Sequence, residues 1–419
     1  MNLRDLIADT FRTLWAHKVR TFLTMFGIGW GVVSITLMVA AGEGLRVGQK
    51  IQSDNLGKDI MIVFAGRTSL QAGGTRAGRR VWWRTGDPEA IKREATACET
   101  VMPELGQGGV SIRSQYNSAS LQLTGSYPEF ADVRSITIGE GRFYSWEDQN
   151  QARRVAVIGS DAAKQLFAGN NAVGETIQVG QFPYKVIGVM AFKEQDSSYD
   201  GRDVNKVFAP FSAVQRDFPN KPPQPPNSVD QLLATPKSSD QHLECRDQIR
   251  RALARIYNFD PTDKEAVPVW DTIENIKRFE ALTDSMKYFL GAVGIVTLFL
   301  GGIGVMNVML VAVRERTREI GVRKAVGATR GSILAQFFVE TVLIVVVSGG
   351  SGMAFAFGLC ALVNKVKMPP FFAGLLPAPE STLLSIGLLG IVAIGAAMYP
   401  ASKAAAVDPI EALRWEAGG

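Results

Sequence analysis

The chain has 419 residues, of which 46% are apolar and 20% charged, with a net charge of +5, 2 histidines and 3 cysteines. That length leaves room for more than one domain's core. Two histidines support no credible Ser/His/Asp constellation, and no Cys/His group has metal-ligand spacing. The reading is therefore of a chain with no catalytic residues, no cofactor site and no metal site.

The apolar residues are segregated into four charge-free stretches, residues 21–42, 288–313, 341–364 and 381–402, each 22 to 26 residues long. A helix crossing a hydrocarbon core about 30 Å thick needs roughly 20 apolar residues, so each can span. In chain order, residues 1–20 come first. Leu3, Leu6, Ile7, Phe11, Leu14 and Trp15 share one helical face, opposite Arg4, Asp5, Asp9, Arg12 and Thr13. This predicts an amphipathic helix lying flat at the cytoplasmic interface. The first span and a stalk follow over 21–56, closed by a glycine cap at Gly57. Gly27 and Gly31 make a Gly-x-x-x-Gly face, expected to serve transmembrane dimer packing.

Residues 57–270 read as a mixed α/β domain of two subdomains, with about 110–215 inserted into the outer one. Strands are predicted at 59–64, 121–125, 136–138, 155–158, 176–179, 184–189, 204–209, 229–234 and 267–270. Helices are predicted at 87–97, 161–167, 211–218 and 241–257. Cys98 and Cys245 fall in this domain; an oxidising compartment would permit them to pair, and the sequence leaves their state open.

A stripe of Ile273, Ile276, Phe279, Leu282, Met286 and Phe289 leads into the second span, so a single helix over 271–313 is expected. At 1.5 Å per residue it would be roughly 65 Å long, about twice the hydrocarbon thickness. A cytoplasmic segment at 314–330 precedes the third span at 331–364, a short loop at 365–380, the fourth span at 381–402 and a tail at 403–419. Asn307 and Glu340 are polar groups within the membrane segments, where such residues are costly.

Charge placement orients the chain. Arg4, Arg12, Lys18 and Arg20 precede the first span. Arg314, Arg316, Arg318, Arg323, Lys324 and Arg330 crowd the loop between spans two and three, against Glu315 and Glu319. Short basic loops stay in the cytoplasm, which puts residues 43–287 outside. Topology accounts for this basic loop, so no nucleic-acid partner is expected. No Gly-x-x-x-x-Gly-Lys-[Ser/Thr] loop occurs; Gly57-Lys58 is followed by Asp59 and lacks the leading glycine.

The run Glu315-Arg316-Thr317-Arg318-Glu319-Ile320-Gly321-Val322-Arg323-Lys324-Ala325-Val326-Gly327-Ala328 resembles the signature of the MacB/FtsX-like permease family of ABC transporters. So do Glu43-Gly44-Leu45, Leu56-Gly57, Gly141-Arg142-Phe143, Gly174-Glu175-Thr176-Ile177, Val186-Ile187-Gly188-Val189 and the tail Asp408-Pro409-Ile410-Glu411-Ala412-Leu413. The resemblance implies a stand-alone permease, without the ATPase domain that MacB carries, whose coupling helix engages a separate ATPase subunit. Glu315, Arg316, Thr317, Arg318, Glu319, Ile320, Gly321, Arg323 and Lys324 are its expected coupling residues. ATP and Mg would bind in that partner.

The resemblance further implies a homodimer or a pairing with a related permease in the cell's inner membrane, in contact with lipid. Expected tasks are efflux with a periplasmic adaptor and outer-membrane duct, lipoprotein extraction, or signalling to cell-wall enzymes. The rival expectation is an ATP-independent anchored receptor or scaffold.

Overall fold

Hydrocarbon offers peptide groups no hydrogen-bond partner, so a chain of this composition crosses it as helices. The computed structural model describes residues 18–57, 59–71, 74, 76–195, 199–377 and 379–414. The interfacial helix expected over residues 3–19 lies, apart from its last two residues, outside them. Two compact units form: Met1–Gly48 with Glu280–Gly419, and Gln49–Phe279.

The first helix, α1 (Lys18–Leu56), holds the first span. It stops where Gly57 takes a φ of +150° and donates its N–H to the Ser53 carbonyl at 3.1 Å.

The outside domain continues with β1 (Met61–Phe64), β2 (Trp83–Arg84), α2 (Asp87–Glu94), β3 (Cys98–Arg113), β4 (Ser118–Ser126), α3 (Phe130–Val133), β5 (Ile138–Gly141), α4 (Trp146–Asn150) and β6 (Val155–Ile158). Then come α5 (Ser160–Phe167), β7 (Thr176–Val179), β8 (Phe182–Met190), β9 (Lys206–Pro210), α6 (Phe211–Asp217), β10 (Ser228–Val229), β11 (Gln231–Pro236), α7 (His242–Tyr257) and β12 (Val269–Asp271). A mixed sheet runs β12-β1-β11-β3-β4-β9-β6-β8-β5, and β7 pairs with both β3 and β8. Strands β3, β4, β9, β6, β8 and β7 thus close into a ring. Side chains alternate across the sheet: Met61, Val63, Leu232, Ala234, Val207 and Ala209 enter one core, while Ile60, Ile62, Leu233 and Phe208 enter another.

The long β3 is not among the predicted strands, because Pro103, Gly106, Gly108 and Gly109 read as breakers. Pro103 faces only Leu232, one residue before pairing with β4 begins at Glu104, so its missing N–H breaks no bond to that strand. Gly106 pairs in register with Thr124, while Gly108 and Gly109 sit at a bulge between Gln107 and Val110, where Gly109 takes a φ of +69°. Helix α4, also unpredicted, starts with a capping box between Ser145 and Asp148. Cys98 and Cys245 form a disulfide with Cα atoms 5.0 Å apart, tying the start of β3 to α7.

One group of charges is shut inside this domain. Arg134 contacts Asp203 at 2.5 Å, and neither side chain is exposed. Lys193 donates to Asp203 at 3.0 Å, and Lys206 to Asp200 at 2.5 Å. Burial pushes Asp203 up, but Arg134, Lys206 and Lys193 outweigh it and hold its carboxyl at about 2. Glu104 receives bonds from Tyr199 Oη at 2.5 Å and Gln231 Nε2 at 3.0 Å. Burial, reinforced by the Asp200 charge, pushes it up to about 7.

The membrane unit resumes with α8 (Thr272–Glu315), α9 (Thr317–Ala325), α10 (Arg330–Val363), α11 (Pro379–Ala406) and α12 (Pro409–Arg414). Helices α1, α8, α10 and α11 are long and apolar enough to cross a membrane, and contain the four predicted spans. A Cβ on Gly27 would lie 3.7 Å from Gly301 Cα, and one on Gly31 would lie 3.0 Å from the Leu298 side chain. The Gly-x-x-x-Gly face therefore packs α1 against α8 of the same chain. The expected dimer role of Gly27 and Gly31 is corrected on that ground. At the outer end of the first span, the loop between α10 and α11 lies on α1. Ala373 donates its N–H to the Gly44 carbonyl and Leu376 to that of Ala40, both at 3.0 Å. A side chain at Gly44 or Gly48 would strike the carbonyls of Gly374 and Phe371.

Two predictions follow from this packing. Replacing Cys98 and Cys245 by alanine is expected to lower the domain's unfolding free energy by roughly 2–4 kcal/mol, measured by urea titration of the whole chain in detergent. Glu104, raised above its ordinary 4.5, keeps a proton in the folded chain that the unfolded chain releases between about pH 4.5 and 7. Its contribution to stability is therefore present at low pH and is lost as pH rises through that window, by up to about 3 kcal/mol. Urea midpoints at pH 4.5 and 7 should show a flatter profile for Glu104→Gln than for the native chain.

Candidate functional site

The cytoplasmic junction of α8, α9 and α10 is assembled around one short helix. Helix α8 ends at Glu315, and the chain turns through Arg316, the N-cap of α9. Arg316 Nη1 lies 3.4 Å from Glu340 Oε1, and Glu340 is 5% exposed by side chain. The carboxylate inside the third span is thus paired with an arginine of the loop, which answers the cost of burying it. Thr317 Oγ1 donates to the Val313 carbonyl at 3.0 Å, joining α9 to the end of α8.

Further along α9, Glu319 and Arg323 meet at 2.5 Å with i,i+4 spacing. Arg323 also donates to Gln336 Oε1 of α10 at 2.8 Å. Lys324 Nζ donates to the carbonyls of Ala405 at 2.6 Å and Val407 at 2.7 Å, placing a positive group on the open C-terminal carbonyls of α11. Ile320 is buried in the membrane unit's core. A Cβ on Gly321 would come within 2.5 Å of Ala412 Cβ, so this glycine lets α12 lie against α9. The helix is fastened to every neighbouring element on its inner side.

Its outer side is open. Arg314, Glu315, Arg318, Glu319 and Val322 are exposed, and Val326 is 84% exposed. An apolar pair, Val322 and Val326, therefore lies among charges of both signs. Such a surface can bind a protein; it holds no chemistry of its own.

The structure brings the expected coupling residues together but divides their roles. Glu315, Arg318 and Glu319 are on the open side. Arg316, Thr317, Ile320, Gly321, Arg323 and Lys324 fasten the helix inward. Gly321, expected among the coupling residues, faces this chain's own Ala412. Gln336 escaped the sequence reading, and Val326 and Ala412, though within the runs that carry the resemblance, were not among the expected coupling residues. Asn307 is not gathered into this site; it is exposed on α8. Among the described residues, no group of three or more His, Cys, Asp and Glu is placed to hold a metal.

Four apolar helices, an outside α/β domain between the first two, and a short helix fastened between the second and third make up the described chain. Residues 21–252 match the MacB-like periplasmic core domain, and residues 291–409 match the FtsX-like permease C-terminal domain. The macrolide export ATP-binding/permease protein MacB of Bdellovibrio bacteriovorus is 31% identical over 410 residues, covering 97% of this chain and 61% of that protein. The pyoverdine export ATP-binding/permease protein PvdT of Pseudomonas putida is 30% identical over 420 residues, covering 99% and 60%. The ABC transporter permease YknZ of Bacillus subtilis is 30% identical over 423 residues, covering 99% of this chain and 100% of that one. The chain spans about 60% of the length of MacB and PvdT. It belongs to the MacB/FtsX-like family of ABC transporter permeases.

Gly321→Leu is expected to force α12 off α9, at about 1–3 kcal/mol of overpacking. Limited proteolysis of the detergent-solubilised chain should then cut residues 407–414 faster than in the native protein.

Proposed function

We propose that this chain is the non-catalytic membrane subunit of an ABC transporter and that the open side of α9 receives a separate ATPase subunit. The observation that carries this reading is the two-sidedness of α9. Its inner side is fastened to α8, α10, α11 and α12, while its outer side presents Val322 and Val326 amid Arg318 and Glu319. A helix so held cannot move alone, so force applied to its outer side reaches the spans. ATP and Mg belong to the partner, whose closure would shift α9 and with it the membrane helices. The outside domain then acts on a substrate already outside, and no pore through four spans per chain is needed.

The same reading places the chain in the cell's inner membrane as one of two permease copies, or beside a related permease. The relatives' macrolide and pyoverdine export supports efflux of small antibiotics or siderophores; export of peptides or lipoproteins is the other task the family resemblance implies. In an envelope with two membranes, a periplasmic adaptor and outer-membrane duct would complete the path.

The test is co-purification, in mild detergent, of the ATPase subunit from cells that produce this chain, using native, Val326→Asp and Arg318→Glu proteins. Both side chains are exposed, so the fold should be unaffected. Loss of an apolar interface anchor costs on the order of 2 kcal/mol, so ATPase affinity should fall at least about tenfold. If both variants hold the ATPase and stimulate its turnover as the native chain does, α9 is a connector. The receptor or scaffold expectation then stands.

A further inference from the structure

One face of the outside domain's sheet carries polar groups that are shut away from solvent. Glu104 stands opposite Ser126, Gly106 opposite Thr124 and Gln122 opposite Lys206, so Glu104, Thr124 and Lys206 project to the same side from β3, β4 and β9. Tyr199 and Arg134 cover them. The Tyr199 hydroxyl donates to Glu104 Oε2, and the Arg134 guanidinium carbon lies 4.9 Å from the centre of the Tyr199 ring. Glu104, Thr124 and Arg134 are all 0% exposed. Among the described residues, Glu104 Oε1, Thr124 Oγ1 and Arg134 Nε and Nη1 have no hydrogen-bond partner. Buried polar groups are ordinarily satisfied, so these open atoms in one enclosed group point to a ligand.

Charge and proton placement decide the kind of ligand. Arg134, Lys193 and Lys206 meet Asp200, Asp203 and Glu104 in this group. Burial, reinforced by the Asp200 charge, favours the neutral acid at Glu104, which leaves three cations against two carboxylates. The tyrosines facing Glu104, Tyr144 and Tyr199, stay neutral, because burial pushes both hydroxyls up. Glu104 Oε2 already accepts from Tyr199 and Gln231, so the acid's proton belongs on the open Oε1. Every open group is then a donor: a carboxyl O–H, a threonine hydroxyl and two guanidinium nitrogens. A water there would have two protons of its own to place, and only the Thr124 oxygen could accept one. An anion accepts from all of them and cancels the surplus charge. The enclosure excludes any ligand with a part that must stay in solvent.

We propose that this enclosed group binds a small monovalent anion, chloride in ordinary surroundings, held by Arg134, Thr124 and the carboxyl O–H of Glu104. An ionised Glu104 would supply the missing negative charge itself, so the anion and the Glu104 proton bind together. The site is separate from α9 and needs no second subunit.

The experiment is urea unfolding of the full chain in detergent, with chloride raised from about 5 to about 500 mM at constant ionic strength by exchange against gluconate. Chloride should raise the urea midpoint at about pH 5.5. Its apparent affinity should be at least about tenfold weaker at about pH 8.5, where Glu104 gives up its proton. Glu104→Gln, neutral at both pH values and still able to donate, should bind chloride equally at both. Thr124→Val, which removes one donor and little volume, should weaken binding about fivefold or more at the lower pH. Bromide diffused into crystals of the full chain should give an anomalous-scattering peak beside Arg134. A midpoint indifferent to chloride at the lower pH would overturn the proposal. So would a chloride effect that neither pH nor either substitution changes, which is screening of surface charge, or bromide peaks at the surface alone. No ATPase enters the readout, so failure here leaves the α9 docking reading standing.

Discussion

Glu340 lies within α10, where a carboxylate without a partner is costly, and its pairing with Arg316 decides where the cytoplasmic helix can sit. Arg316 is the turn between α8 and α9, so holding its guanidinium at Glu340 holds the turn itself. From that anchor the other fastenings of α9 fall within reach: Arg323 to Gln336, Lys324 to the end of α11, and Gly321 to α12. The same constraint shapes the rest of the membrane unit. Thr341 and Ser348 donate their hydroxyls to carbonyls four residues back, at 2.8 and 2.6 Å, so neither of these two donors is left open.

Between helices, small residues take over. Lipid tails are as apolar as leucine, so close backbone approach rather than hydrophobic burial draws spans together. Gly27, Gly31 and Gly301 bring α1 to α8, and Gly29 and Gly352 bring α1 to α10. The outside domain solves the opposite problem with opposite means. It encloses large side chains on both faces of a sheet, and it closes a set of buried charges around Asp203 so completely that Arg134 loses all exposure.

The spans were legible because their signal is compositional, and the basic loop because charge near a membrane end has one common cause. Short strands such as β6 and β7 were legible to the residue, since alternation and flanking glycines bound them. The long β3 was not, because its proline and glycines carry meaning only through pairing: Pro103 is tolerated by the register, and Gly109 by a bulge. Helix α4 did carry a local signal, the Ser145–Asp148 capping box, within a segment too short to show periodicity. At the site, the residue types of α9 were visible, but which side each faced depended on its packing against α10, the next helix, and α12, far off in sequence. Gly27 and Gly31 show the same limit, for a small-residue face announces close approach without saying to whom.

The disulfide joins residues 147 positions apart. Ribosome and export machinery deliver a chain from its N-terminus, so Cys98 arrives outside long before Cys245 exists there. Every strand from β4 to β11 and most of the ring emerge in that interval. The bond can be made only after the segment it encloses has been delivered, so it cannot guide the first steps of that segment's assembly.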